Sequence, residues 1–460
     1  MKKNRLSPLF SNSTLNKENL SPLTLLSPLK INIISLGCSK NLVDSEHLIR
    51  QLEAAGYAVE HNPSNIDGEI VVVNTCGFIA DAQEESINTI LEMGEAKRQG
   101  KIRRLIVMGC LSERFLAELT QELPEVDHFY GKFNWKQMLA DLGKSYRDDL
   151  ASDRTLTTLP HYAYMKISEG CNRFCAFCAI PLITGRHKSV PMEQLLDETH
   201  NLVARGVKEF NVIAQDLSSY GLDLYSKMML PELIDKMASI SGVEWIRLHY
   251  AYPTQFPWNI TRVMAEHENV CSYLDIALQH ISDKVLSNMR RHITRDETLR
   301  LIDRLRTEVP DLHLRTTLMV GFPGEGEKEF DELMDFVREV RFERMGAFAY
   351  SEEAGTWAAQ NLEDIIPQDV KQSRLEALMD LQESISMEIQ ESKVGTTLRV
   401  IIDREEEEYY VGRTQYDSPE VDPEVLIDKS KPLIPGNFYN VTVTSALPFE
   451  LMATVGTQDK

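Results

Sequence analysis

Seven cysteines stand at positions 38, 76, 110, 171, 175, 178 and 271, and six of them fall into two groups with the makings of metal chemistry. Cys171, Cys175 and Cys178 form a C-x3-C-x2-C run directly after the apolar stretch MKISEG. Thiolates this close let one loop present three ligands to one iron–sulfur cluster. A structural zinc site takes four ligands, normally as two facing pairs, and no fourth cysteine lies nearby. Three thiolates on a four-iron cluster leave one iron open to a small molecule. The alternatives are a redox-inert loop or a zinc knuckle. Cys38, Cys76 and Cys110 are far apart, yet each closes an apolar run: INIISLGC, EIVVVNTC and RLIVMGC. Carboxyl ends of neighbouring parallel strands lie side by side, and ligands bind outside them. Three such turns bring three thiols to one point, again with an open metal position; three independently buried cysteines are the other reading. Cys271 has no partner by spacing and reads as a buried small hydrophobe.

The elements that must position these thiols are legible as alternation. From 31 to 147, β-branched strands alternate with helical patterns such as NLVDSEHLIRQLEAAG, which predicts a parallel α/β domain. Residues 148–158 (DDLASDRTLTT) are polar and predict a linker. From 157 to 387 the alternation resumes. MKISEGC, EFNVIAQD, WIRLHYAYP, YLDIALQH, HLRTTLMVGFPGE and ERMGAFAYS each end an apolar run, which predicts a partial or full βα barrel with C-x3-C-x2-C at the carboxyl end of its first strand. From 390 to 460 short strands and turn residues predict a small all-β, OB-like barrel. Residues 1–30 repeat Ser-Pro-Leu at Ser7, Ser21 and Ser27 without an apolar segment, which predicts a disordered extension.

Composition narrows the function. The chain of 460 residues carries a formal charge of −21, which argues against holding nucleic acid by bulk electrostatics. No apolar run approaches the roughly 18 residues of a membrane span. An odd cysteine count without a secretory signal predicts a reducing, cytoplasmic compartment.

Taken together, GCSKNLVDSE, NTCGFI, MGC, ISEGCNRFCAFCAIPLITGRHKS, DIALQH and VGFPGE resemble the motifs of the radical S-adenosylmethionine methylthiotransferases, in that family's order, over residues 31–460. The resemblance implies that Cys171, Cys175 and Cys178 hold a 4Fe-4S cluster whose open iron chelates S-adenosylmethionine. It implies that Cys38, Cys76 and Cys110 hold an auxiliary 4Fe-4S cluster carrying sulfur, and that the last module is a TRAM domain. Within the family, SLGCSKNLVDSE and DSPEVD (Asp417 to Asp422) resemble the branch that modifies an aspartate of the twelfth small-subunit ribosomal protein. An electron donor is implied as a further partner. Such chemistry at an unactivated carbon needs a radical from a cofactor, with the protein supplying position and exclusion of water.

Around the thiols several residues are candidates. Gln215 and Asp216 end a strand and fit either S-adenosylmethionine's polar groups or a strand-end cap. Gly321, Pro323 and Gly324 form a tight turn that fits either a close pass by the cofactor or a plain connection. Gln279 and His280 follow a strand with the same two readings. Phe174 and Phe177 read as cluster shielding, and Arg186 and His187 as surface.

Relatives of the fold modify a transfer-RNA adenosine instead, and that is the alternative substrate. From Gln390 to Lys460, 13 acidic residues face 7 basic ones. An acidic module repels phosphate and attracts a basic protein, so no stable nucleic-acid binding is expected. The run Glu405 to Glu408 fits either role or a solvated hairpin. A third class, an electron carrier or RNA adaptor, fits poorly: a carrier needs four cysteines per cluster, and an adaptor needs a basic or aromatic platform.

Overall fold

The structure, a computed structural model, describes residues 28–456. The predicted disorder of 1–30 falls outside the described residues as far as 27; Lys30 itself opens a strand, paired with Ala58. That strand, Lys30–Ser35, belongs to a five-stranded sheet in the order Ala58–His61, Lys30–Ser35, Ile70–Thr75, Arg104–Gly109, His128–Phe129. Every pair is parallel. Ile70–Thr75 is buried at every position, as expected of a central strand covered on both faces. Helices Ser39–Ala54, Ala80–Arg98 and Cys110–Glu122 make the crossovers.

The central domain is a six-stranded parallel sheet: Tyr162–Lys166, Glu209–Ile213, Trp245–Ala251, Val270–Ile276, His313–Val320 and Arg344–Ala349, in sequential order. It does not close, so of the two predicted forms the structure takes the partial barrel. One face of each strand packs on the helices: Ala163, Met165, Phe210, Val212, Ile246, Leu248, Leu274 and Leu318 share one core. The other face is polar and aromatic, with Tyr164, Lys166, Asn211, Arg247, His249, Tyr273, Asp275 and Arg315 at the alternate positions. Helix Ser39–Ala54 lies against it: Leu42 and Val43 pack with Tyr162, Tyr164, Ile213 and Tyr250.

The predicted linker is not a loose one. Arg154 is 1% exposed. Its guanidinium pairs with Glu46 of the first domain and with Glu198 of the second at 2.7 Å, and donates to the carbonyl of Tyr164 at 2.5 Å. A segment of polar composition is here a clamp, because two buried carboxylates demand a buried cation.

Helix Gln368–Glu391 leads into the terminal module, a closed five-stranded barrel with its own apolar core around Val400, Val425 and Val441. Its strand Glu424–Asp428 extends the four apolar runs visible in the sequence. The module docks on the polar face of the central sheet through buried ion pairs. Arg413, held within the module by Asp403 at 2.6 Å, meets Glu209 at 2.8 Å, Arg344 meets Asp417 at 2.5 Å, and Arg315 meets Asp422 at 2.9 Å. The charge count therefore overstates the module's free acidity. Asp417 and Asp422 are spent on arginines of the central sheet, whereas Asp403, Glu405, Glu406 and Glu424 pair with the module's own Arg413, Lys429 and Arg404 and leave its net charge as counted. DSPEVD is mainly a docking loop.

Candidate functional site

Cys38, Cys76 and Cys110 follow three strands that are neighbours in the sheet, Lys30–Ser35, Ile70–Thr75 and Arg104–Gly109. The turns are pressed together. A side chain at Gly37 would meet the Cys76 Sγ at 2.8 Å, one at Gly77 the Leu111 Cα at 2.6 Å, and one at Gly109 the Thr75 carbonyl at 2.5 Å. Gly37 and Gly109 have φ of +88° and +106°, where glycine alone is unstrained. Asn41 ties the same turns by donating to the carbonyls of Leu36 at 2.7 Å and Asn74 at 3.2 Å. Ser86 does so at Cys76, bonding both its N–H and its carbonyl at 3.0 Å. Cys38 is exposed, Cys76 buried. Burial pushes the Cys110 thiol up to about 12, against the pull of Lys132.

Cys171, Cys175 and Cys178 share a loop pinned on three sides. Cys171 N–H donates to Gly185 at 3.2 Å, Ala176 N–H to Met289 at 2.9 Å, and Ala358 N–H to Ala176 at 2.8 Å. Donors point at the sulfurs. Arg173 N–H lies 3.4 Å from the Cys171 Sγ, Arg291 Nη1 3.2 Å from the Cys175 Sγ, and the Tyr252 hydroxyl 3.6 Å from the latter. Burial pushes the Cys171 thiol up to about 12 and Cys178 higher still. Thiols so raised stay protonated until a metal displaces the proton.

Among the described residues no three His, Cys, Asp or Glu side chains converge on a single metal ion. A four-iron cluster is a different demand, since it takes each thiolate on a separate iron. Three thiols per locus, cationic and N–H donors aimed at sulfur, and the otherwise unpartnered buried Gln215 Oε1 fit a 4Fe-4S cluster with a ligand beside it.

The remaining candidates divide. Gln215 donates to Glu169 at 3.1 Å, so it flanks the cluster loop. Asp216 is 1% exposed, pairs with Arg173 at 2.7 Å and caps Ser218 at 3.0 Å; it orients the loop from behind. Gly321 lies under Lys371, whose Cγ a side chain would meet at 2.4 Å, and Asn288 donates to Pro323 at 3.0 Å while crowding Gly324. The turn is thus braced by neighbouring helices. Gln279, at φ +72°, bridges to Leu318. His280 accepts from Ser282 N–H at 3.0 Å, which directs its other nitrogen to Glu325 at 3.2 Å, and Arg374 completes the chain at 2.8 Å. Phe177 packs edge-on to Phe322 at 6.1 Å, while Phe174 is exposed. Arg186 is exposed over Phe174, whereas His187 is buried against Ser189, not at the surface. Cys271 is buried beside Trp245, Tyr273 and Ile401.

Sequence reading missed the charges that join the two thiol loci. Asp44 pairs with Lys132 at 2.8 Å and with Lys166, and Lys166 also pairs with Glu169, two residues before Cys171. Lys132 reaches Glu169 at 3.5 Å. Nearby, Arg114 donates to the Gly77 carbonyl at 3.0 Å and pairs with Glu353 at 2.8 Å. None of these residues carries a spacing signal: Asp44 meets Lys132 within the first domain, while its pair with Lys166 and the contact of Lys132 with Glu169 cross to the second.

An open parallel sheet with a three-thiol loop after its first strand, joined to a second thiol-bearing α/β domain, defines a radical S-adenosylmethionine enzyme with an added cluster domain. Residues 165–337 match the radical SAM superfamily, 30–131 the uncharacterized protein family UPF0004, and 394–455 the TRAM domain. The chain belongs to the ribosomal protein uS12 methylthiotransferase RimO family. Relatives of that name are 64% identical in Parabacteroides distasonis, over 93% of this chain and 99% of the relative, and 60% identical in Porphyromonas gingivalis, over 93% and 99%. The relative in Christiangramia forsetii is 50% identical over 92% and 93%. Among solved structures, the radical S-adenosylmethionine methyltransferase TsrM from Kitasatospora setae superposes with a TM-score of 0.53 at 14% identity, covering 70% of this chain and 75% of that one. The cobalamin-dependent radical enzyme OxsB gives 0.51 at 10%, covering 78% and 56%. These two likenesses concern the fold.

Proposed function

We propose that this chain inserts a methylthio group at the β-carbon of an aspartate of ribosomal protein uS12, in the cytoplasm, drawing electrons from a separate donor protein and forming no stable complex with nucleic acid. The observation that carries the reading is the pair of three-thiol loci joined by the buried Asp44–Lys132–Lys166–Glu169 network, within a chain 64% identical to a uS12 methylthiotransferase. When bound, the S-adenosylmethionine-carrying cluster at Cys171, Cys175 and Cys178 supplies a radical able to break an unactivated C–H bond, and the cluster at Cys38, Cys76 and Cys110 supplies sulfur. The protein supplies the placement. Arg173, its guanidinium held by Asp216, turns its backbone N–H to the Cys171 sulfur, and Arg291, which also donates to the Ala277 carbonyl, keeps positive charge at the Cys175 sulfur. Lys132 does the same beside Cys110. The helix that Cys38 caps, Ser39–Ala54, packs Leu42 and Val43 on the polar face of the sheet. Gln215 flanks the loop with a buried carbonyl oxygen that has no hydrogen-bond partner among the described residues.

Mass spectrometry of uS12 and of transfer RNA from cells with and without this gene decides the substrate. A methylthio increment on the uS12 aspartate that disappears with the gene is expected. An increment lost from transfer-RNA adenosine instead would replace this reading with the alternative.

A further inference from the structure

Two residues beyond Cys38, the helix carries a cation with no assigned task. Lys40 is 8% exposed, and its ammonium lies 3.2 Å from the centroid of the Tyr250 ring. Its neighbours Lys132 and Lys166 are matched by Asp44 and Glu169; among the described residues Lys40 has no carboxylate within ion-pair distance. A buried ammonium is costly unless an anion meets it, and a ring face satisfies it only in part. Tyr250 holds that face toward Lys40 from a left-handed conformation, φ +62°, which a bulky residue adopts only under constraint. The surroundings are cationic. Arg315, its side chain 20% exposed, reaches the same region from the neighbouring strands, and His249 is kept neutral by burial and by Arg247, Arg315 and Lys40. The carboxylates facing it are Asp422, matched by Arg315, and the buried Asp275.

We infer that Lys40 receives the carboxylate of the substrate side chain that is modified, and so selects an acidic residue for reaction beside the Cys38 locus. The inference rests on the uS12 reading above. Pinning a carboxylate at Lys40 leaves the adjacent β-carbon one bond away, at the leading turn of the helix that Cys38 caps. An uncharged amide at the same place would leave the ammonium unmatched. S-adenosylmethionine offers a carboxylate too, and the test separates the two sources.

The experiment uses the full chain reconstituted with both clusters, and two synthetic peptides of the uS12 loop with Asp or Asn at the target position. Wild type is expected to favour the Asp peptide. Lys40→Met is expected to lower kcat/KM for the Asp peptide by about 10- to 100-fold, mainly through KM, and to bring the Asp-to-Asn ratio close to 1, as expected for loss of one charged hydrogen bond. Lys40→Arg should restore most of the preference. Lys40→Gln replaces Lys40→Met in the comparison if the latter lowers iron content. Equilibrium dialysis of S-adenosylmethionine should give a Kd close to wild type. A tenfold weaker Kd would assign Lys40 to the cofactor and overturn the inference, as would an unchanged Asp-to-Asn ratio. If wild type modifies neither peptide nor intact uS12, the uS12 reading itself falls; if it modifies them and the variants keep the preference, only the role of Lys40 falls.

Discussion

Gly109→Ala would set a methyl group 2.5 Å from the Thr75 carbonyl and the Asn74 side chain, in a backbone at φ +106°. The conformational strain alone costs about 1–3 kcal/mol, and the clash must be relieved by moving the turn that carries Cys110. The expected result is a lower Tm together with loss of about half the iron, since the second locus lies in another domain. Gly143→Ala, at φ +73° where a side chain meets nothing within 4 Å, is the control for a positive φ without displacement; its iron should stay at the wild-type level. The thiols themselves give a sharper separation. Replacing Cys171, Cys175 and Cys178 by Ala should leave roughly half the iron and abolish reductive cleavage of S-adenosylmethionine. Replacing Cys38, Cys76 and Cys110 should preserve cleavage and stop methylthio product. Product formed at the normal rate by the latter variant, measured by mass spectrometry, would show that sulfur does not pass through that locus.

At the scale of elements, the join between domains carries more energy than its sequence advertises. Arg154 lies in a stretch that composition marks as a linker, yet it is fully buried between Glu46 and Glu198. Arg154→Met leaves two buried carboxylates facing each other, a change worth about 3–5 kcal/mol. Denaturant titration should show the corresponding fall in midpoint, and limited proteolysis should cut first between residues 148 and 158. Adding Glu46→Gln should recover part of the loss; no recovery would mean that Arg154 acts through packing of its stem. Arg154 also shows where sequence reading stops. Strand ends and their cysteines were legible because βα alternation is local and a thiol at each of three successive strand ends is a repeated event. The edge strands Ala58–His61 and His128–Phe129 were not, being too short to show a period. Nor were Lys132, Lys166 and Arg291, whose partners lie in other elements and are set by three-dimensional packing alone. Asp417 and Asp422 misled the charge count for the same reason: sequence shows their sign, while only the dock shows that arginines have already claimed them.

For the whole molecule, that dock sets the response to acid. Burial pushes both carboxyls up, but Arg344, Lys393 and Thr414 hold Asp417 down at about 2, and Arg413 with His161 holds Asp403 at about 2. An aspartate in the unfolded chain titrates near 3.9. Both carboxylates are thus depressed in the folded state, so their stabilisation is complete above about pH 4 and is lost as pH falls toward 2. At 1.36 kcal/mol per unit, each contributes about 2–3 kcal/mol that acid removes. Asp275 works in the opposite direction. Burial, with the Asp422 charge beside it, raises its carboxyl to about 6. Between about pH 4 and 6 the folded chain therefore holds the extra proton, and stability declines as pH rises through that window. The Tm of the cluster-free protein, followed by circular dichroism, should accordingly fall steeply below pH 4 and slope gently downward from pH 4 to 6. Asp417→Asn should lower Tm at pH 7 and flatten the acid limb, while Asp275→Asn should remove the decline between pH 4 and 6 and leave the acid limb in place. An acid limb unchanged in Asp417→Asn would mean that the terminal barrel is held to the central sheet by its apolar contacts, with the buried arginines serving only to fix its register.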